Sequence, residues 1–186
     1  MAFVVVYDAC VLYPAPLRDL LLRIARAGLV QAKWTEAILD ECFRSILKVR
    51  PELKADALRR SRELMNRAVP DCIVIDYEDL IDSLVLPDRD DRHVLAAAIR
   101  AGSQMIVTFN LRDFPTRTLR RYGVEARHPD DFVIDQIGLA SAAIINAVIE
   151  QARALKRPTQ TIPEVLDTLR GCGLVQSTAK LRELFG

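Results

Sequence analysis

The run Phe3-Val4-Val5-Val6-Tyr7, which stops on Asp8, constrains this chain more than any other feature. Five successive apolar residues leave no polar face for water, so they predict a strand covered on both sides, as in a parallel sheet. Met105-Ile106-Val107-Thr108 and Cys72 to Ile75 repeat the pattern, and Leu29 to Trp34 and Gly123 to Ala126 predict shorter strands. Between them, apolar residues recur at helical spacing. Leu17, Leu20, Leu21 and Ile24 form one stripe, closed by Gly28, and Thr35 caps a second helix carrying Ile38, Leu39, Cys42, Phe43, Ile46 and Leu47. A third helix is expected from Pro51 to about Arg67, and a fourth, from Asp90 to Ala101, turns Val94, Leu95, Ala98 and Ile99 inward.

Strands alternating with helices predict a three-layer α/β/α domain over residues 1–135, with a central, mostly parallel sheet. Residues 136–186 are expected to form a helical extension. Pro129-Asp130-Asp131-Phe132 opens a helix, Ala140 to Leu155 predicts another, and Lys156-Arg157-Pro158 is a break. Thr161 and Glu164 have the spacing of a capping box for a helix ending at Gly171, and Leu174 to Phe185 predicts the last helix.

Charge narrows the function classes. With 26 Lys+Arg against 25 Asp+Glu the net charge is +1, which excludes a uniformly cationic nucleic-acid coat. The distribution is blocky: net +5 across 44–67, net −7 across 71–91 and net +3 across 112–127. An acidic focus between basic stretches suits a metal site bordered by phosphate contacts, although a solvated surface explains each block taken alone. Cys10, Cys42, Cys72 and Cys172 lack ligand spacing and accompany only His93 and His128, so thiols in a reducing cytoplasm are expected rather than a zinc cage. The N-terminal run has no basic region or cleavage site of a signal peptide, and no stretch is read as a membrane span.

Ligands of open parallel sheets bind beyond the carboxyl ends of the strands. Asp8 follows the first strand, and Asn110 and Asp113 follow Met105–Thr108. Asp91, at 100° per residue, falls within the apolar arc of Val94, Leu95 and Ala98, so its carboxylate needs a compensating partner; Asp88 and Asp90 flank it. Glu41 lies roughly opposite its helix's apolar stripe, where geometry alone gives a surface glutamate. Each acid has a plain alternative: helix cap for Asp8, turn residue for Asp113, helix-dipole partner for Asp91. Together they make an oxygen-only set, which selects Mg²⁺ or Mn²⁺ and points to phosphodiester hydrolysis.

The ordered segments Val-Val-Val-Tyr-Asp8, Trp-Thr-Glu-Ala-Ile-Leu-Asp-Glu41, Pro-Asp-Arg-Asp-Asp91-Arg-His-Val-Leu-Ala-Ala-Ala and Ile-Val-Thr-Phe-Asn-Leu-Arg-Asp113-Phe-Pro resemble the PIN domain, most closely PIN proteins of the VapC toxin type. The resemblance covers about residues 3–135. It implies a PIN-like fold and a metal-dependent endoribonuclease acting on single-stranded RNA, the toxin of a toxin–antitoxin pair, with a homodimer and a cognate antitoxin as partners. Asp8, Glu41, Asp91 and Asp113 fall on the family's acidic positions, with Asp8, Asp91 and Asp113 as metal ligands. Asp88, Asp90, Thr108 and Asn110 would support them, and Arg44, Lys48, Arg112 and Arg117 would carry the RNA backbone. Asn110 stands where many members carry aspartate, and the helical tail is longer than in stand-alone toxins. Two other readings remain: a PIN-like scaffold that binds RNA or protein without catalysis, and an aspartyl phosphatase of haloacid-dehalogenase type. The latter needs a second aspartate where this chain has Cys10.

Overall fold

The computed structural model describes residues 3–186; Met1 and Ala2, the start of the run read for a signal peptide, lie outside the described residues. Four strands, β1 (Phe3–Tyr7), β2 (Val30–Lys33), β3 (Met105–Val107) and β4 (Glu125–Arg127), form an all-parallel sheet in the order β2-β1-β3-β4. Val5, Val6, Tyr7, Ile106 and Val107 are completely buried, as their unbroken apolar pattern requires. Helices complete the three-layer α/β/α arrangement. The chain winds from β1 out to β2, then crosses back to β3 on the other side of β1. That reversal places a switch point between β1 and β3, where an α/β sheet opens a crevice at its carboxyl edge.

After β1 come the short α1 (Ala9–Leu12) and α2 (Ala15–Arg26), which Gly28 ends in the left-handed region at φ 76°. Thr35 caps α3 (Glu36–Val49) by accepting from the Ile38 N–H at 3.0 Å. The central core is aromatic: Tyr7 stacks on Trp34 at 6.4 Å and meets Phe132 edge-on at 6.1 Å.

Several expectations need correction. The helix expected from Pro51 is α4 (Ala55–Ala68), because Pro51 to Leu53 form a turn. Cys72 to Ile75 makes only an isolated bridge from Ile73 to Trp34, and Ile75 is exposed. Asp71 and Asp76, at φ 54° and 58°, bound that segment with left-handed turns that leave no room for a ladder. The acidic stretch holds a short helix absent from the sequence reading, α5 (Glu78–Ile81). The helix expected from Asp90 is α6 (Arg92–Arg100), preceded by Asp91 in the cap position. Before β4 come α7 (Thr116–Leu119) and a 3₁₀ turn (Arg120–Tyr122), and Gly123 at φ 68° turns the chain into a strand two residues later than expected.

The helices expected at Pro129 and at Ala140 are one element, α8 (Pro129–Ala154), kinked at Ala140 and crossing the 135/136 boundary. By length and composition α8 could cross a membrane, contrary to the sequence reading, which found no such stretch. Here it buries Phe132, Val133, Ile137, Ile144 and Val148 together with polar Asp130, Gln136 and Gln151. Two helices follow: α9 (Ile162–Gly171), with the Thr161–Glu164 capping box formed, and α10 (Val175–Phe185).

Candidate active site

Asp8 leaves β1 at the switch point and is 2% exposed. Its carboxylate is fully engaged. Oδ1 accepts from the Ala9 N–H at 2.7 Å, and Oδ2 accepts from the Thr108 hydroxyl at 2.6 Å and the Cys10 thiol at 3.2 Å. Thr108, at the end of β3, also accepts the Asn110 N–H at 2.9 Å, and Cys10 Sγ accepts the Phe109 N–H at 3.3 Å. The ends of the two central strands are thereby joined through one carboxylate. Burial pushes the Asp8 carboxyl above the usual range, the Thr108 and Cys10 bonds oppose it, and the Glu41 charge adds to it. Burial, then Asp8 itself, pushes the Cys10 thiol up to about 12, so it stays protonated as a donor.

Asp91 occupies the cap position of α6 without using its side chain as a cap. Its carboxyl is pushed up to about 7 by partial burial, then by the charges of Asp8, Asp88, Asp113 and Glu41. Acids from separate segments therefore share one rim. Asp91 is half-buried, not fully turned into the apolar stripe, because α6 starts one residue after it. Asp88 acts on Asp91 and accepts the Asp90 N–H at 2.9 Å, whereas Asp90 is an exposed turn residue. Asp113 is half-buried, with its N–H on the Asn110 carbonyl at 3.0 Å, while the Asn110 side chain is exposed.

Glu41 is exposed, as its helical angle predicts, yet its charge reaches both Asp8 and Asp91. His93 explains its placement. Its Nε2 lies 3.5 Å from Glu41 Oε2, and its Nδ1 is buried with no hydrogen-bond partner. Cys10 and His93 are the site residues that sequence reasoning missed, since His93 was weighed only as a zinc ligand and Cys10 only as a zinc ligand, a plain thiol or a missing phosphatase aspartate. The signal available was position: Cys10 two residues after Asp8, and His93 two after Asp91.

The donor set is carboxylate and amide oxygen with the thiol protonated, which fits a hard divalent cation. Among the described residues no three His, Cys, Asp or Glu side chains close into a cage. Beside the rim lies a cavity of about 400 Å³ lined in part by Cys10, Tyr13, Glu41, Cys42, Lys48 and Val49. Arg44, Lys48, Arg112 and Arg117 are exposed, whereas Arg62 in the same basic block is taken up by Glu36 and Asp40.

The raised Asp91 pKa has a stability consequence. Between pH 3.8, the ordinary value, and about 7 the folded chain holds a proton that the unfolded chain has lost. Stability therefore falls as pH rises through that window and stays low above it. Because Asp91 is half exposed, the loss is about 1–2 kcal/mol rather than the roughly 4 that a full three-unit shift would give. Metal-free wild-type protein is expected to lose roughly 1–5 °C in Tm between pH 5 and pH 7.5 relative to Asp91→Asn. Parallel profiles from thermal denaturation in EDTA would leave Asp91 an ordinary surface acid.

Comparison with known proteins gives two family matches, one after the other along the chain. Residues 4–112 match the family described as PIN domain, and residues 129–183 match that described as VapC50 C-terminal domain. A curated Mycobacterium tuberculosis protein, "Putative ribonuclease VapC50", is 41% identical over 109 residues, covering 59% of this chain and 63% of the relative. The match thus spans less than two thirds of the relative's length. No solved structure matches.

Proposed function

The chain belongs to the PIN-domain family, and on that premise we propose that it is a metal-dependent endoribonuclease, the toxin of a toxin–antitoxin pair, hydrolysing single-stranded RNA. The observation that carries this reading is the shared rim. The Asp8 carboxylate is fixed between the ends of β1 and β3, and the Asp91 carboxyl, unused as a cap, is crowded by four other acids. Mutual repulsion of this kind is relieved by a divalent cation. Asp8, Asp91 and Asp113 would hold Mg²⁺ or Mn²⁺, which when bound lowers the pKa of water and neutralises charge on a scissile phosphate.

The remaining roles fall to the chain itself. Thr108 holds Asp8 in one orientation through its 2.6 Å hydrogen bond, and the Asn110 N–H fixes the Thr108 hydroxyl in turn. Glu41, held near His93, accepts a proton from a water at the rim. Lys48 lies on the cavity beside Glu41, and with Arg44, Arg112 and Arg117 it offers cationic contacts for the RNA backbone. A homodimer would lengthen that track, and a cognate antitoxin, a cytoplasmic location and no membrane partner complete the reading.

The test is the chemistry of the products. With Mn²⁺, cleavage of single-stranded RNA should leave 5′-phosphate and 3′-hydroxyl ends, because water rather than the ribose 2′-OH is the nucleophile, and EDTA should stop it. Mass spectrometry that finds 2′,3′-cyclic phosphates, or cleavage that persists in EDTA, overturns the reading.

A further inference from the structure

We infer that the C-terminal helical unit is a brace for the acidic rim: Gly173, seated against the Phe109 ring, holds the segment Thr108–Asn110 that aligns the Asp8 carboxylate. Phe109 sits between the two parts. Its N–H is on Cys10 Sγ at 3.3 Å, one step from Asp8, and its ring meets His128 edge-on at 5.2 Å. On the tail side, a methyl group added at Gly173 would lie 3.1 Å from Phe109 Cε1, a tight contact that the ring must relieve by shifting a few tenths of an ångström. Gly173 also has φ +96°, so both its backbone conformation and its lack of a side chain permit the approach.

The tail is anchored beside that contact. Asp130, at the start of α8 and 4% exposed, caps α10 from a distance: its Oδ2 accepts the Gln176 N–H at 2.8 Å, and its Oδ1 accepts the Ser177 N–H at 2.9 Å and hydroxyl at 2.6 Å. Leu174, the residue in the cap position of α10, supplies no such bond. His128 accepts the Asp130 N–H at 3.2 Å through Nδ1, which couples this cap to the residue facing Phe109. Further along, Gln151 donates to the Pro16 carbonyl at 2.9 Å and ties α8 to the start of α2. A path of direct contacts therefore runs from the α10 N-terminus through His128 and Phe109 to the residues that orient Asp8. Phe109, Gly173 and Asp130 are positioning residues, since none of them touches the rim carboxylates.

The experiment uses Cys10 as a reporter, because its sulfur is engaged in the Asp8 network, donating to Asp8 Oδ2 at 3.2 Å and accepting the Phe109 N–H at 3.3 Å. Labelling by iodoacetamide in EDTA, read at the Cys10 peptide by mass spectrometry, does not depend on the hydrolytic reading, whereas RNA kinetics rest on it. Gly173→Ala in the full chain is expected to raise Cys10 labelling roughly tenfold and to lower kcat roughly tenfold, with KM within about twofold. Adding Phe109→Leu, which shortens the side chain facing residue 173, should recover most of both. Unchanged labelling in Gly173→Ala, or no recovery in the double variant, overturns the brace and leaves only the strain of alanine at φ +96°. Asp130→Asn weakens the seat of α10 without altering Phe109 or Gly173, and should raise labelling about threefold; unchanged labelling there overturns the brace even where Gly173→Ala does not fold. A wild-type chain that cleaves no RNA but shows these labelling changes sinks the nuclease reading and keeps the brace.

Discussion

Asp8→Asn and Asp91→Asn should each lower RNA cleavage by about a thousandfold, with far-UV circular dichroism and gel-filtration volume unchanged. Both replacements keep shape and remove one negative charge. At 4 Å and an effective dielectric near 20, a unit charge pair is worth about 4 kcal/mol, and about that much in the barrier is a thousandfold in rate. Asparagine at 8 can keep its amide oxygen on the Ala9 N–H and donate from its Nδ2 to the Thr108 hydroxyl oxygen in place of Oδ2, so the strand ends stay joined. Asparagine at 91 relieves the crowding by Asp8, Asp88, Asp113 and Glu41, so this variant should lose activity while gaining stability at neutral pH. Single-turnover cleavage of a labelled RNA measures the first effect. Full activity in both variants would move the site away from this rim.

What was legible in the sequence were features that one segment carries by itself. The apolar run into Asp8 dictates a strand buried on both faces, and the Thr161–Glu164 pair dictates a capped helix, because burial and capping are satisfied locally. The positions of Asp8 and Asp113 were legible because strand ends in a parallel sheet converge on one edge, and that of Asp91 from its angle at the start of a helix. Cys72 to Ile75 misled because its composition fits a strand, while the left-handed Asp71 and Asp76 that confine it have no unambiguous sequence sign. Pro129-Asp130-Asp131-Phe132 was read as a helix start, and it is one. That the Asp130 carboxylate caps α10, 46 and 47 residues away, is a tertiary fact without local periodicity. The pairing of Glu41 with His93 and of Cys10 with Asp8 and Thr108 has the same character.

Asp113→Ala should weaken Mn²⁺ binding and cleavage by about 10–100-fold, whereas Asn110→Ala should cost less than about fivefold. Both residues follow β3, but the structure separates their contributions. The part of Asn110 that touches the network is its backbone N–H, on Thr108 at 2.9 Å, and alanine retains it. Its exposed side-chain amide offers an oxygen but no charge, and hard cations are held chiefly by charge. Asp113 is half-buried, and its charge bears on Asp91 across the rim, so its removal takes away attraction that water cannot replace. Asn110→Asp adds a fifth carboxylate to the four whose charges already raise Asp91, and should keep or tighten Mn²⁺ binding in calorimetry while lowering the Tm of the metal-free protein. The opposite order, with Asn110→Ala the more damaging, would leave Asp113 as the turn residue its N–H bond to the Asn110 carbonyl makes it, and the acidic set would reduce to Asp8, Asp91 and Glu41.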